Sequence, residues 1–295
     1  MKPNELIAKI ENGELDKSFK KIYVSDSAVE EQKPRYIRTI KEFINLFGDD
    51  RDVFVLSAPG RTEVCGNHTD HNNGKVLAAS INLDAIAIAA KRDDMKINEK
   101  SEGHGLNEVD ISTLSPDEAE YGRSSSMIKG VAAGLKEKGY EIGGFDACTT
   151  SDVMGGSGLS SSAAFEVLIA TVINHLYNDG KIDAVTVAKA AQFSENVYFG
   201  KPCGLMDQSA CSVGSLIHID FKDNSKPVVE KVDVEFSSFK HSLCIVDVHA
   251  SHADLTDDYA AVPYEMKKVA QFFGKEVLRE VDEKDFYNQL VEVRK

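Results

Sequence analysis

Apolar residues recur at helical spacing through the first fifty positions. Leu6 and Ile10, then Tyr36, Ile40, Phe43 and Ile44, stand out from an otherwise charged stretch and predict amphipathic helices. The texture changes at Asp52. Residues 53–56 form a short apolar run that predicts a buried strand. Residues 76–90, with Ile81, Leu83, Ala85, Ile86 and Ile88, predict one or two more. Residues 91–120 are polar and predict short strands and loops. A helix is predicted over 126–138, ended by Gly139, and a strand over 145–150. A Gly/Ser-rich stretch at 152–163 then runs directly into a helical pattern with Leu159, Ala163, Val167, Ala170 and Asn174 on one face. A second helix is predicted over 184–199, stopped by Gly200-Lys201-Pro202. Strands are predicted at 216–221 and 243–248, and a last helix from about Tyr264. Strands and helices mix without strict alternation, which favours an α+β fold over a doubly wound sheet.

The chain has 295 residues, enough for two domains or for one large domain with an appendage. Acidic residues outnumber basic ones by 48 to 34, for a formal net charge of −14 and a pI near 5.1. A field of that sign repels phosphate backbones and anionic lipid, so no nucleic-acid or membrane partner is expected. An anionic ligand requires a local site that overrides the field. No apolar run approaches the ~18 residues of a membrane span. The longest candidate, 76–90, is interrupted by Ser80, Asn82 and Asp84, and the N-terminus lacks the apolar region of a signal peptide. The five cysteines are scattered and form no Cys-x-x-Cys pair, so neither a disulfide framework nor a cysteine zinc site is indicated. The expected location is the cytoplasm.

Three stretches carry candidate chemistry. The first is Asp152-Val-Met-Gly-Gly-Ser-Gly-Leu-Ser-Ser-Ser-Ala163, between a predicted strand and a predicted helix. Clustered glycines let backbone N–H groups converge at a helix N-terminus, where the dipole favours phosphate. Composition alone leaves a plain flexible turn with an N-cap serine equally open. The stretch is neither Gly-x-x-x-x-Gly-Lys-[Ser/Thr] nor Gly-x-Ser-x-Gly, which disfavours a serine hydrolase. The second stretch, Pro59 to Gly74, packs Arg61, His68, Asp70 and His71 between strands and suits a polyhydroxylated ligand. Its two histidines also fit metal ligation, though no third distant ligand accompanies them. A polar turn at Asn72-Asn73-Gly74 is expected in either case. The third stretch runs from Glu195 to Gln208: one carboxylate ends a helix, and Asp207 follows a Gly-containing loop, where it fits an N-cap as well as a catalytic group.

Together the three stretches resemble the galactokinases of the GHMP small-molecule kinase family. Residues 60–74 are similar to the signature Gly-Arg-x-Asn-Leu-Ile-Gly-Glu-His-Thr-Asp-Tyr-Asn-x-Gly. Gly-Leu-Ser-Ser-Ser-Ala stands intact at 158–163, and Pro-Cys-Gly-Leu-Met-Asp-Gln at 202–208. Asp258-Tyr259 falls in the place of a sugar-contacting tyrosine. The resemblance implies a two-domain fold: a ribosomal-protein-S5-like N-terminal domain at 51–235, preceded by a helical segment at 1–50, and an incomplete C-terminal domain at 236–295. It implies transfer of the ATP γ-phosphate to the anomeric hydroxyl of galactose or a close relative. Arg61 and Asp207 would flank the attacking hydroxyl. Asn67, His68, Asp70, Gly204 and Tyr259 would line the sugar site. Gly155, Gly156, Ser157, Gly158, Leu159, Ser160 and Ser161 would hold the ATP phosphates, and Ser162 and Glu195 would hold Mg²⁺.

The sequence departs from the family pattern in places. Asn67 replaces a glutamate that accepts from the sugar, and Met154 stands where the loop usually has proline. The adenine-side aromatics would fall near Ser124 and Met127, and the chain has no tryptophan. Nothing after Tyr259 matches the family's third glycine-rich motif, so either a fragment or a reduced second domain is expected. A kinase for another sugar and a non-catalytic sugar/ATP sensor are the alternative functions. The intact Arg61, Asp207, Ser162 and Glu195 argue against the sensor.

Overall fold

One strand of 17 residues, β2 (Lys75–Lys91), organises the protein. The computed structural model describes residues 1–66, 68–234, 239, 240, 244, 246 and 256–294, with the backbone alone for 256–260. Asn67 therefore lies outside the described residues, as does most of the strand predicted at 243–248. The apolar run expected to give one or two strands is a single continuous one. Its second half alternates between two buried faces. Ala85, Ala87 and Ala89 enter one apolar core, and Ile86, Ile88 and Ala90 enter another. Because helices cover both faces there, residues 85–90 are apolar throughout instead of alternating with polar residues.

The helices α1 (Pro3–Glu11), α2 (Asp16–Tyr23) and α3 (Asp26–Phe47) form one covering layer. Their Leu6, Ile10, Phe19, Tyr36, Ile40 and Phe43 pack on Ile86, Ile88 and Val53. β1 (Phe54–Cys65) is three times the length of the run that predicted it. Among the described residues β1 pairs with β2 alone, and an edge strand tolerates a proline such as Pro59. The pairing shifts register between Pro59 and Arg61 and again between Glu63 and Cys65.

The polar stretch after β2 contains the short strands β3 (Lys96–Ser101) and β4 (Leu106–Asp110). Then come α4 (Ser124–Glu137), β5 (Phe145–Ser151), α5 (Ser161–Tyr177), α6 (Ala184–Phe193), α7 (Met206–Val213), β6 (Leu216–Asp220) and β7 (Val228–Lys231). The described strands form a sheet of order β4-β3-β5-β2-β6-β7, with β1 on the free edge of β2. All pairs are antiparallel except β3–β5. Helices α4, α5 and α6 bury Ile128, Leu135, Leu168, Ile169 and Ala190 against the second face. A third core joins the first half of β2 and β6 to Leu205, Met206 and Ala210 of the α7 region. After the sheet, α8 (Thr256–Phe272) begins earlier than the expected start near Tyr264. A short turn, Leu278–Glu280, leads to α9 (Glu283–Asn288) and α10 (Leu290–Val293).

Candidate active site

The Gly/Ser stretch leaves β5 and enters α5 as an exposed loop pinned at both ends. Val153 and Leu159 are buried, and residues 154–158 between them reach solvent. Gly156 (φ 73°) and Gly158 (φ 74°) take left-handed conformations that other residues adopt only at a cost. Ser160 sits at the N-cap of α5, also left-handed at φ 59°, but its side chain caps nothing. Its hydroxyl donates instead to the Asp207 carboxylate. The first-turn amides of α5, from Ser161 and Ser162 onward, are left without a side-chain acceptor, at the positive end of a 17-residue helix. Of the two readings the sequence left open, the serine-capped turn is not the one formed, since the Ser160 side chain does not cap the helix, and uncapped amides at a helix N-terminus are the kind of group that suits an anion.

Arg61 closes the loop from β1. The register shift after Pro59 turns its side chain toward the helices, a common use of a bulge beside a site. Its backbone N–H donates to the Leu159 carbonyl at 3.1 Å. Its guanidinium grips Asp207 with both ends of the fork, Nε to Oδ1 and Nη2 to Oδ2, each at 2.7 Å. Nη1 reaches the Gly158 carbonyl at 2.6 Å. Asp207 lies in the first turn of α7, two residues past an N-cap occupied by Leu205. Burial alone would raise the Asp207 carboxyl, but the charge and hydrogen bonds of Arg61 and the Ser160 hydroxyl prevail and hold it below its usual range. The group is anionic at neutral pH and 30% exposed.

A second acidic point lies deeper. α6 does not stop at Glu195 but continues through a π-helical turn, Ser194–Phe199, before Gly200 ends it as predicted. The wider turn places Glu195 inward at 2% exposure. Its Oε1 accepts from the Ser162 hydroxyl at 3.0 Å and from Lys201 at 3.3 Å, and its Oε2 accepts from Gln208 at 2.7 Å. Ser162 and Glu195 are hard oxygen donors at the helix end that borders the anion site. They suit Mg²⁺, which takes one or two protein oxygens and completes its shell with phosphate and water. Beneath them Glu166 is fully buried, and burial, followed by the charge of Glu195, pushes its carboxyl well above the usual range.

Of the residues expected at the sugar, His68, Asp70 and Gly204 lie on the other flank. A short 3₁₀ turn, Thr69–Asn72, carries Asp70, and two left-handed non-glycine residues, His68 and Asn73, flank it. A methyl group built on Gly204 would stand 2.2 Å from Asp70 Oδ2, so the carboxylate packs directly on the glycine backbone. Glu63 was not singled out from the sequence. It stands two residues along β1 from Arg61, on the same face, where the galactokinase signature has asparagine. Burial and then the charge of Asp70 raise its carboxyl, with Arg61, His68 and Asp207 acting on it as well. Strand alternation from Arg61 was the signal that could have found it. The histidine rings of His68 and His71 lie 6.3 Å apart, and no cluster of three metal-ligating side chains exists among the described residues. Tyr259 falls within the backbone of α8. Met127 is buried, and Ser124 is exposed and accepts from Asn107, so neither position supplies an aromatic face for adenine.

Comparison with known proteins follows the same lines. The family description "Galactokinase galactose-binding signature" matches residues 41–91, and "GHMP kinases N terminal domain" matches 126–215. The galactokinase of Clostridium tetani is 37% identical over 59% of this chain and 44% of its own length. That of Streptomyces coelicolor is 31% identical over 82% of this chain and 62% of its own. The chain belongs to the galactokinase family of GHMP kinases. A crystal structure of Lactococcus lactis galactokinase complexed with galactose superposes with a TM-score of 0.68 at 26% identity, covering 84% of this chain and 65% of that one. Like these galactokinases, the chain is α+β with the GHMP kinase fold. It spans 44% and 62% of the two curated relatives' lengths. No helix among the described residues is long and apolar enough to cross a membrane.

Proposed function

We propose that this chain is a cytoplasmic sugar kinase that transfers the γ-phosphate of ATP to the anomeric hydroxyl of galactose or a close relative. The observation that carries the reading is the Arg61–Asp207 pair, gripped at 2.7 Å on both arms and tied to Gly158 and Ser160 at the end of an uncapped helix. A carboxylate for the sugar hydroxyl and a cation for phosphate thus stand where the glycine loop ends.

The amides of Gly155, Gly156, Ser157, Gly158, Leu159, Ser160 and Ser161 hold the phosphates, and the α5 dipole and Arg61 offset their charge. Ser162 and Glu195 would hold Mg²⁺, which would supply positive charge to offset that of the phosphates. Asp70, His68, Gly204 and Tyr259, with Asn67, hold the sugar. Asp207 orients the anomeric hydroxyl. As the new O–P bond forms and the bond to the departing ADP breaks, the hydroxyl proton passes to a carboxylate oxygen of Asp207. A carboxylate below its usual pKa is a weak base. It suffices because phosphoryl transfer is loose and its proton moves late, so alignment matters more than basicity.

The test is a panel of hexoses with MgATP, read by ADP release, on this chain. Galactose-dependent ADP release supports the kinase. Binding of sugar and MgATP without turnover identifies the sensor instead, and turnover of another hexose alone moves the substrate elsewhere in the family.

A further inference from the structure

α8 and the segment that follows it reach back onto the loop that carries His68 and Asp70. Asn72, the last residue of the 3₁₀ turn, is 5% exposed, and both ends of its amide are committed to this segment. Its Nδ2 donates to Met266 Sδ at 3.1 Å, and its Oδ1 accepts from the Leu278 N–H at 3.2 Å. The next residue on each side is joined as well. Arg279 Nη1 donates to the Asn73 carbonyl at 2.7 Å and to Asp220 Oδ1, while Nη2 donates to Asp220 Oδ2 at 3.1 Å. Asp220 ends β6 and pairs in register with Lys75, the first residue after the loop. One guanidinium therefore ties the loop's carbonyl to the sheet that anchors the loop.

The loop needs such support. His68 (φ 60°) and Asn73 (φ 56°) are non-glycine residues in the left-handed region, a conformation that persists only where the surroundings hold it. The neck is fixed by Thr69, whose hydroxyl donates to the carbonyls of Gly66 and Lys75. The far end, Asn72–Asn73, is fixed by Met266, Leu278 and Arg279, together with Asn224, which donates to Asn73 Oδ1 at 3.0 Å. Asp70 lies between these two fixed points. None of the hydrogen bonds made by Arg279 goes to the glycine loop or to the Arg61–Asp207 pair.

We propose that Arg279, acting through Asn73 next to the Leu278–Asn72 bond, is a positioning residue for the sugar: it holds the loop so that Asp70 faces the substrate. This rests on the sugar-kinase reading given above. Arginine suits the task because its planar fork serves three acceptors at fixed angles, which a lysine ammonium on a flexible stem does not reproduce.

The experiment uses the full chain and the variants Arg279→Ala, Arg279→Lys and Asn72→Leu, with galactose and MgATP affinities from calorimetry and amide exchange of residues 69–74. Loss of one charge-assisted anchor is expected to weaken galactose about tenfold in Arg279→Ala, and to raise the galactose KM while kcat at saturating sugar holds. MgATP affinity stays within a factor of two or so of wild type, roughly the noise of a surface change. Arg279→Lys, which keeps the charge and the fold, recovers only part of the galactose affinity. Exchange at 69–74 accelerates in all three variants. Unchanged galactose affinity and unchanged loop exchange overturn the proposal, as does an equal loss of galactose and MgATP, the mark of general destabilisation. If the wild-type chain binds MgATP but no hexose, the functional reading falls separately, and the loop exchange still judges the clamp.

Discussion

Two arginine–aspartate pairs hold the two sides of the glycine loop, and they differ in access more than in chemistry. Arg35 of α3 meets Asp84 of β2 at 2.7 Å, with side-chain exposures of 6% and 2%. Arg61 of β1 meets Asp207 of α7 at the same distance, with exposures of 15% and 30%. In the first pair nearly every polar atom is already used. Asp84 accepts from Arg35 on Oδ1 and from Tyr23 and Ser57 on Oδ2. Tyr23 also bonds Tyr36, and Arg35 reaches the carbonyls of Asp84 and Thr150. Among these groups only Arg35 Nε lacks a partner among the described residues. Asp152, at the root of the loop, joins through Gln32 and Arg35. A closed network of this kind can hold the loop's base but can receive nothing. The Arg61–Asp207 pair opens to solvent at the loop's other end, so a ligand hydroxyl can take up capacity the protein has left. The same ion pair is structural when its partners enclose it and chemical when one side stays open.

The largest test exchanges the roles. Asp207→Asn should cut turnover ~10²–10⁴-fold, the usual cost of losing a general base, with the fold retained and MgATP affinity near wild type. Turnover within a few fold of wild type would remove Asp207 from the chemistry. Arg35→Ala is the mirror case. It leaves Asp84 buried without its cation and should cost about 3–5 kcal/mol in denaturant unfolding, because an uncompensated buried charge remains. A loss below about 1 kcal/mol would show that the closed network carries little.

The next effect in size separates metal from sugar on the open side. Glu195→Gln should weaken MgATP by roughly ten- to a hundredfold, as loss of a metal-site group does, and leave galactose affinity in the absence of metal unchanged. Calorimetry that shows equal MgATP affinity returns Glu195 to an ordinary helix residue. The smallest effect is the acid limb of stability. The Asp207 carboxyl titrates below its ordinary 3.8 in the folded chain, so its contribution is present above that value and is lost as pH falls through the folded one. Acid unfolding curves of wild type and Asp207→Asn should therefore converge below pH ~4, in the range where the unfolded carboxyl titrates, and separate above it. Parallel curves throughout would mean that the pair gives the fold nothing.

Much of the site was legible because its chemistry is local in sequence. A glycine loop must be contiguous to curl around an anion, so residues 152–163 announced it. Arg61, Asp70, Asp207 and Glu195 each sat in a short segment dense with polar groups. The helices of the first fifty residues were legible from spacing alone. Their partner was not, since the Ile86 and Ile88 they cover stand in a run that reads equally well as one strand or two. β1 was read as residues 53–56 because the apolar run ends there, and the sheet order shows that the strand continues to Cys65, as an edge among the described residues. The π turn that carries Glu195 inward leaves no mark on a helical pattern, because one extra residue per turn does not change which residues are apolar. Glu63 and Arg279 were missed for related reasons. The first lies on β1 beyond residue 56, where the predicted strand stopped, and the second acts on a loop some two hundred positions away.

The sequence by itself determined the family, the mixed α+β character and the residue types available for phosphate, sugar and metal, because each depends on short-range order along the chain. Tertiary structure alone decided which carboxylate meets which arginine. It brought Arg61 to Asp207 across 146 positions and enclosed Arg35 with Asp84 across 49. The reason is that an ion pair's role follows from its burial and its remaining hydrogen-bond capacity. Both are properties of the packed surroundings, to which several separate segments contribute, and no one segment contains them.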